Sequence, residues 1–75
     1  MNVYVLKPKG KYNHGMALVA ASTFAYAKSE YISNGSYGEM FYNGEFDFDE
    51  KYSEPIEGLE WHGWQEVIAE SIYIE

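Results

Sequence analysis

The spacing of apolar positions along this chain changes several times, and each change marks an element. Residues 2–7, Asn2-Val3-Tyr4-Val5-Leu6-Lys7, are rich in β-branched and aromatic side chains and stop at Pro8, which predicts a first strand. Residues 8–15 have loop chemistry. Met16-Ala17-Leu18-Val19-Ala20-Ala21 admits two readings: the opening of one long helix reaching Ile32, or a short strand before a helix over roughly 23–33. We favour the second, because Ser22 and Thr23 serve better as a helix N-cap than as helix interior. Phe24, Ala27 and Tyr31 then share one helical face, and Asn34-Gly35 predicts a left-handed exit.

The segment Glu39-Met40-Phe41-Tyr42, Asn43-Gly44, Glu45-Phe46-Asp47-Phe48 predicts a β-hairpin closed by a type I′ turn. Its pairing would put Phe41, Phe46 and Phe48 on an aromatic inner face and Tyr42, Glu45 and Asp47 on an acidic outer one. Asp49 to Gly63 is a long connection with Leu59, Trp61 and Trp64 as candidate anchors. A connection of that length predicts a hidden turn of helix or short strand. Gln65 to Glu75 alternates imperfectly, which predicts a last strand with a bulge. The resulting expectation is a single α+β domain over residues 1–75: a small antiparallel sheet packed on one helix, in the order β-β-α-β-β-β.

Composition limits what such a domain can be. Seventy-five residues bury only about 60% of the surface the unfolded chain exposes, so aromatic side chains must supply much of the core. The absence of Cys excludes a disulfide framework and a thiolate zinc site. The longest apolar run, Met16 to Ala21, is far short of the roughly 20 residues that span a bilayer. With no basic, apolar leader at the start, a cytoplasmic protein is expected.

Charge changes the picture most. Residues 1–29 contain four Lys and no acid, whereas residues 30–75 contain all twelve Asp and Glu and one Lys. The two stretches therefore carry +4 and −11, within a net charge of −7. Such a balance disfavours anionic membranes and bare nucleic acid, and favours a larger protein with a basic, nucleic-acid-binding surface. Asp47 and Asp49, at i and i+2 of an extended segment, would project from one face about 6.7 Å apart, near the spacing of successive phosphates along one strand. The candidate acidic contacts are Glu39, Glu45, Asp47, Asp49 and Glu50, with Tyr42 and Tyr52 as aromatic contacts. One of Trp61 and Trp64 is a further candidate, but the sequence does not say which. Lys7, Lys9 and Lys11, at alternate positions of the first loop, form a secondary basic contact that suits an acidic protein patch or, weakly, a phosphate backbone. Each of these features also has an ordinary explanation as solvated surface or, for Phe41, Phe46 and Phe48, as core.

No catalytic, cofactor or metal pattern competes with the charge. Neither His14 nor His62 stands with a nucleophile motif, and the run beginning at Asp47 fails the EF-hand pattern at Lys51, Tyr52 and Gly58. A non-enzymatic binding protein without cofactor or metal is expected.

Gly15-Met16-Ala17-Leu18-Val19-Ala20-Ala21-Ser22, followed by an Ala-containing helix, resembles strand-then-helix segments of small phage-encoded inhibitors of bacterial defence, the anti-CRISPR proteins. The chain is similar to these proteins in length, lack of Cys, acidic excess and single sheet with one helix. Its expected element order also resembles at least one anti-CRISPR fold, a curled sheet around a helix. The resemblance implies that the protein occupies a surface meant for guide RNA, target DNA or a nuclease subunit, and it carries over no individual residue. The other reading open to the sequence is an interaction module or adaptor that binds through an aromatic patch or the Lys7–Lys11 loop.

Overall fold

The computed structural model describes residues 1–11 and 13–74. Three antiparallel strands, β1 (Asn2–Leu6), β2 (Asn13–Ala21) and β3 (Glu66–Ile74), form a sheet in the order β1-β2-β3. The helix α1 (Phe24–Asn34) packs on one face of this sheet, and a short helix α2 (Gly38–Tyr42) and a 3-10 turn at Glu50–Tyr52 precede β3. The α+β class and the antiparallel sheet on one main helix are thus as expected.

Alternation along the strands decides which side chains meet α1. Tyr4 and Leu6 of β1, Ala17, Val19 and Ala21 of β2, and Ile72 of β3 form one core with Ala27, Tyr31, Phe41 and Phe48. Small residues on β2 let the helix approach closely, and Tyr31 fills the middle with its ring wholly buried. Phe41 and Phe48 stack at 4.1 Å, and each meets the Tyr31 ring edge-on. Thr23, in extended conformation, caps α1: its hydroxyl oxygen accepts from the Tyr26 amide at 3.2 Å. Met16–Ala21 is strand, as the Ser-Thr cap implied. The bulge expected in the last strand lies at Ile68, where pairing steps from Leu18–Ala69 to Val19–Val67.

The hairpin over Glu39–Phe48 does not form, so the order is β-β-α-α-β. Its first half is helix α2, and Asn43-Gly44 ends that helix instead of turning a hairpin. Asn43 has φ −78° and only Gly44 is left-handed, at φ +78°. The Gly44 amide donates to Phe41 O at 3.2 Å and the Glu45 amide to Met40 O at 3.0 Å, the paired bonds of a Schellman stop. A type I′ turn needs positive φ at both central residues, so one Asn-Gly pair is compatible with either structure. Packing selects the helix. A Cβ at Gly38 would lie 2.2 Å from Ile32 O, so glycine there lets α2 sit against α1 and drop Phe41 onto Tyr31.

The left-handed exit expected at Asn34-Gly35 is also absent, since Gly35 has φ −78°. Glycine is required there for space: a Cβ would meet the Tyr31 ring at 2.3 Å. Beyond the hairpin region, the long connection hides the 3-10 turn, with the Asp49 carboxylate accepting from the Lys51 amide at 3.0 Å.

Candidate protein interface

One part of the acidic stretch, residues 47–61, is laid along the outer edge of β1. The Lys9 amide donates to Asp47 O at 2.7 Å and the Asp49 amide to Lys7 O at 2.8 Å, with a bridge between Pro8 and Phe48. Further along, the Ile56 amide donates to Val3 O at 2.9 Å and the Trp61 amide to Met1 O at 2.8 Å, with a bridge between Asn2 and Glu60. The run 47–61 therefore travels antiparallel to the first nine residues, a length of roughly 26 Å at about 3.3 Å per residue. It is too irregular to be a strand, yet it bonds the outer edge at Met1, Val3, Lys7 and Lys9.

This path sorts the side chains. Phe48 turns into the core, Ile56 and Trp61 are half-buried, and Asp47, Glu50, Glu54, Glu57 and Glu60 are exposed. Among the described residues Glu54, Glu57 and Glu60 carry no side-chain hydrogen bond or ion pair, and neither do Glu39, Glu45, Asp47 and Glu66. Glu57 and Glu60 also line an open groove of about 520 Å³ formed with Met1, Asn2, Ser22 and Pro55–Leu59. Phe48 anchors this segment in the core, and Ile56 and Trp61 are half-buried, while Glu54, Glu57 and Glu60 are solvent-exposed.

The other candidates divide. Glu39 and Tyr42 lie on α2 and line a separate groove with the end of α1; Tyr42 is 75% exposed. Glu45 is exposed in the turn after α2. Asp49 spends its carboxylate on the 3-10 turn, and Glu50 pairs with Lys28 at 3.1 Å. Tyr52 is 38% exposed and already holds a cation, with Lys7 Nζ 5.2 Å from its ring centre. Lys7 and Lys9 are bound through their backbones to Asp49 and Asp47, while Lys9 and Lys11 expose their side chains. The separation of charge along the sequence is therefore not a separation in space. Lys9, Lys28, Asp47 and Glu50 line one groove. Glu54, Glu57 and Glu60 have no ion pair among the described residues, and the Met1 ammonium, which donates to Trp61 O at 2.9 Å, lines the groove that holds Glu57 and Glu60.

Trp64 was not distinguishable from Trp61 in the sequence. It is 83% exposed, and Trp61 is turned inward with its indole Nε1 donating to Trp64 O at 3.1 Å. The intervening Gly63 is the one local signal, since it permits that close turn.

Burial drives the Tyr31 phenol up to about 12, helped by its hydrogen bond to Glu70. That phenol lies in the core, and its place is structural. Among the described residues no group of three or more His, Asp and Glu side chains is arranged to hold a metal ion, and no helix is long and apolar enough to cross a membrane. No family model, curated protein or solved structure matches the chain.

Proposed function

We propose that the protein is a small acidic inhibitor that binds a larger protein on its basic, nucleic-acid-binding surface and so blocks DNA or RNA from engaging it. The observation that carries this reading is the run of exposed acids Glu54, Glu57 and Glu60 on a segment tied to β1 through Asp47, Asp49, Ile56 and Trp61. A carboxylate row on a fixed backbone offers Lys and Arg groups what a phosphate row offers, and a fixed row loses less freedom on binding than a mobile one. Many such pairs are needed, since exposed ion pairs contribute about 0–1 kcal/mol each. The resemblance to anti-CRISPR proteins rests on length, acidic excess, lack of Cys and a single sheet with one helix, since the element order differs. On that resemblance the proposed partner is a bacterial CRISPR-Cas type complex and the proposed setting is the host cytoplasm, with the protein a phage product. The role is non-enzymatic and needs neither metal nor cofactor.

The test is capture of partners from a bacterial lysate with and without nuclease treatment. The proposal expects a nucleic-acid-binding protein whose recovery rises when nucleic acid is destroyed. Recovery that falls after nuclease, or a captured protein with no affinity for nucleic acid, contradicts it.

A second reading, an adaptor using an apolar surface, draws on the sheet face opposite α1, where Met16 and Tyr73 are exposed. The Lys7–Lys11 loop is the other surface available to such an adaptor. Salt separates the readings: an acidic interface weakens steeply with ionic strength and an apolar one does not.

A further inference from the structure

We infer that Trp64 receives an arginine side chain of the protein partner, its indole covering the flat face of the guanidinium while a nearby carboxylate accepts from its N–H groups. This rests on the acidic-interface reading and names the residue type that the interface recognises. Exposure is the first observation. At 83%, Trp64 is the most open large apolar side chain among the described residues, although an indole normally buries itself. Tryptophans left open in this way act as anchors in protein interfaces.

The turn that displays Trp64 is braced. Its start is tied to β1 by the Trp61–Met1 backbone bond and the Asn2–Glu60 bridge. Its middle is closed by the Trp61 indole donating to Trp64 O, and a Cβ at Gly63 would come within 2.8 Å of that indole nitrogen. An aromatic side chain on a preset turn gives up little freedom when it docks.

The molecule also shows how a ring and an acid share a cation. Lys28 Nζ lies 4.9 Å from the Phe24 ring centre and 3.1 Å from Glu50 Oε1, so one ammonium is held by both. Trp64 stands outward between Glu60, four residues back and exposed, and Glu66, two residues on and half-buried, and neither carboxylate has a hydrogen bond or ion pair among the described residues. Indole is the strongest cation-receiving ring of the three aromatic types. Arginine fits better than lysine because a guanidinium stacks and donates in its own plane at once.

Fluorescein-labelled deca-arginine and deca-lysine peptides, followed by anisotropy at low ionic strength, test the inference. Wild-type protein is expected to bind deca-arginine more tightly than deca-lysine. Trp64→Ala should weaken deca-arginine binding about tenfold, with a smaller effect on deca-lysine, and Trp64→Phe should recover part of the loss. Both variants should melt with the wild type. Wild-type affinity in Trp64→Ala, together with lost binding when Glu54, Glu57 and Glu60 are changed to Lys, overturns the role of Trp64 and leaves the acidic interface standing. If the wild-type protein binds neither peptide, both are overturned.

Discussion

The Tyr31 hydroxyl, at the centre of the core, donates to Glu70 Oε1 on β3 at 3.1 Å. The same phenol oxygen accepts from the Tyr37 amide at 3.4 Å, while both Glu70 carboxylate oxygens accept from the Ser36 amide at 3.2 Å. Two side chains thus join the end of α1, the turn into α2 and the last strand.

Tyr31→Phe keeps the ring and removes this junction. The Tyr37 amide loses an acceptor and Glu70 a donor, which should lower stability by about 1–2 kcal/mol. Urea denaturation measures the loss. A change within a few tenths of a kcal/mol would mean that the rings alone hold these elements together.

The junction also sets the response to alkali. The folded protein holds the Tyr31 proton up to about 12, against 10.0 for an ordinary tyrosine. Between those values the unfolded chain binds fewer protons than the folded one, so stability is full below pH 10 and falls as pH rises towards 12. Melting temperature measured across this window should drop more steeply for wild type than for Tyr31→Phe. Parallel curves would show that Tyr31 is not responsible.

Glycine positions separate crowding from backbone strain. Gly15 has φ +88°, and a Cβ there would sit 1.7 Å from Ser71 O, inside the β2–β3 ladder. Gly58 has φ +77° with open space around it. Gly15→Ala should cost more than about 3 kcal/mol or prevent folding, whereas Gly58→Ala should cost only about 1 kcal/mol. Equal losses in thermal melts would remove the account of β2–β3 packing.

Local chemistry made some of these elements readable and left others open. Ser22-Thr23 marked the passage from β2 to α1 because a hydroxyl cap suits only the start of a helix. The imperfect alternation over Gln65 to Glu75 announced a bulge because one extra residue shifts the side-chain period, and the structure places it at Ile68. Asn43-Gly44 misled because a Schellman stop and a type I′ turn ask for the same glycine, and the deciding contact, Gly38 against Ile32, comes from tertiary packing. Phe41, Phe46 and Phe48 were read as one apolar group, and they do cluster, through a helix and an extended segment instead of two paired strands. The acidic bias was plain in composition. The placement of residues 47–61 along β1 was not, because the bonds from Lys9 to Asp47 and from Ile56 to Val3 join residues far apart in sequence. Pairing of Glu50 with Lys28 moved the weight of the site from Asp49 and Glu50 towards Glu54, Glu57 and Glu60.

Charge reversal of that stretch, Glu54→Lys, Glu57→Lys and Glu60→Lys together, tests the central claim most directly. The measurement is affinity for the captured nucleic-acid-binding protein across a range of salt concentrations, with melting temperature as the control for folding. The account predicts an unchanged melt, at least a tenfold loss of affinity at low salt and a flatter salt dependence. Wild-type affinity and an unaltered salt slope in the folded variant would contradict it.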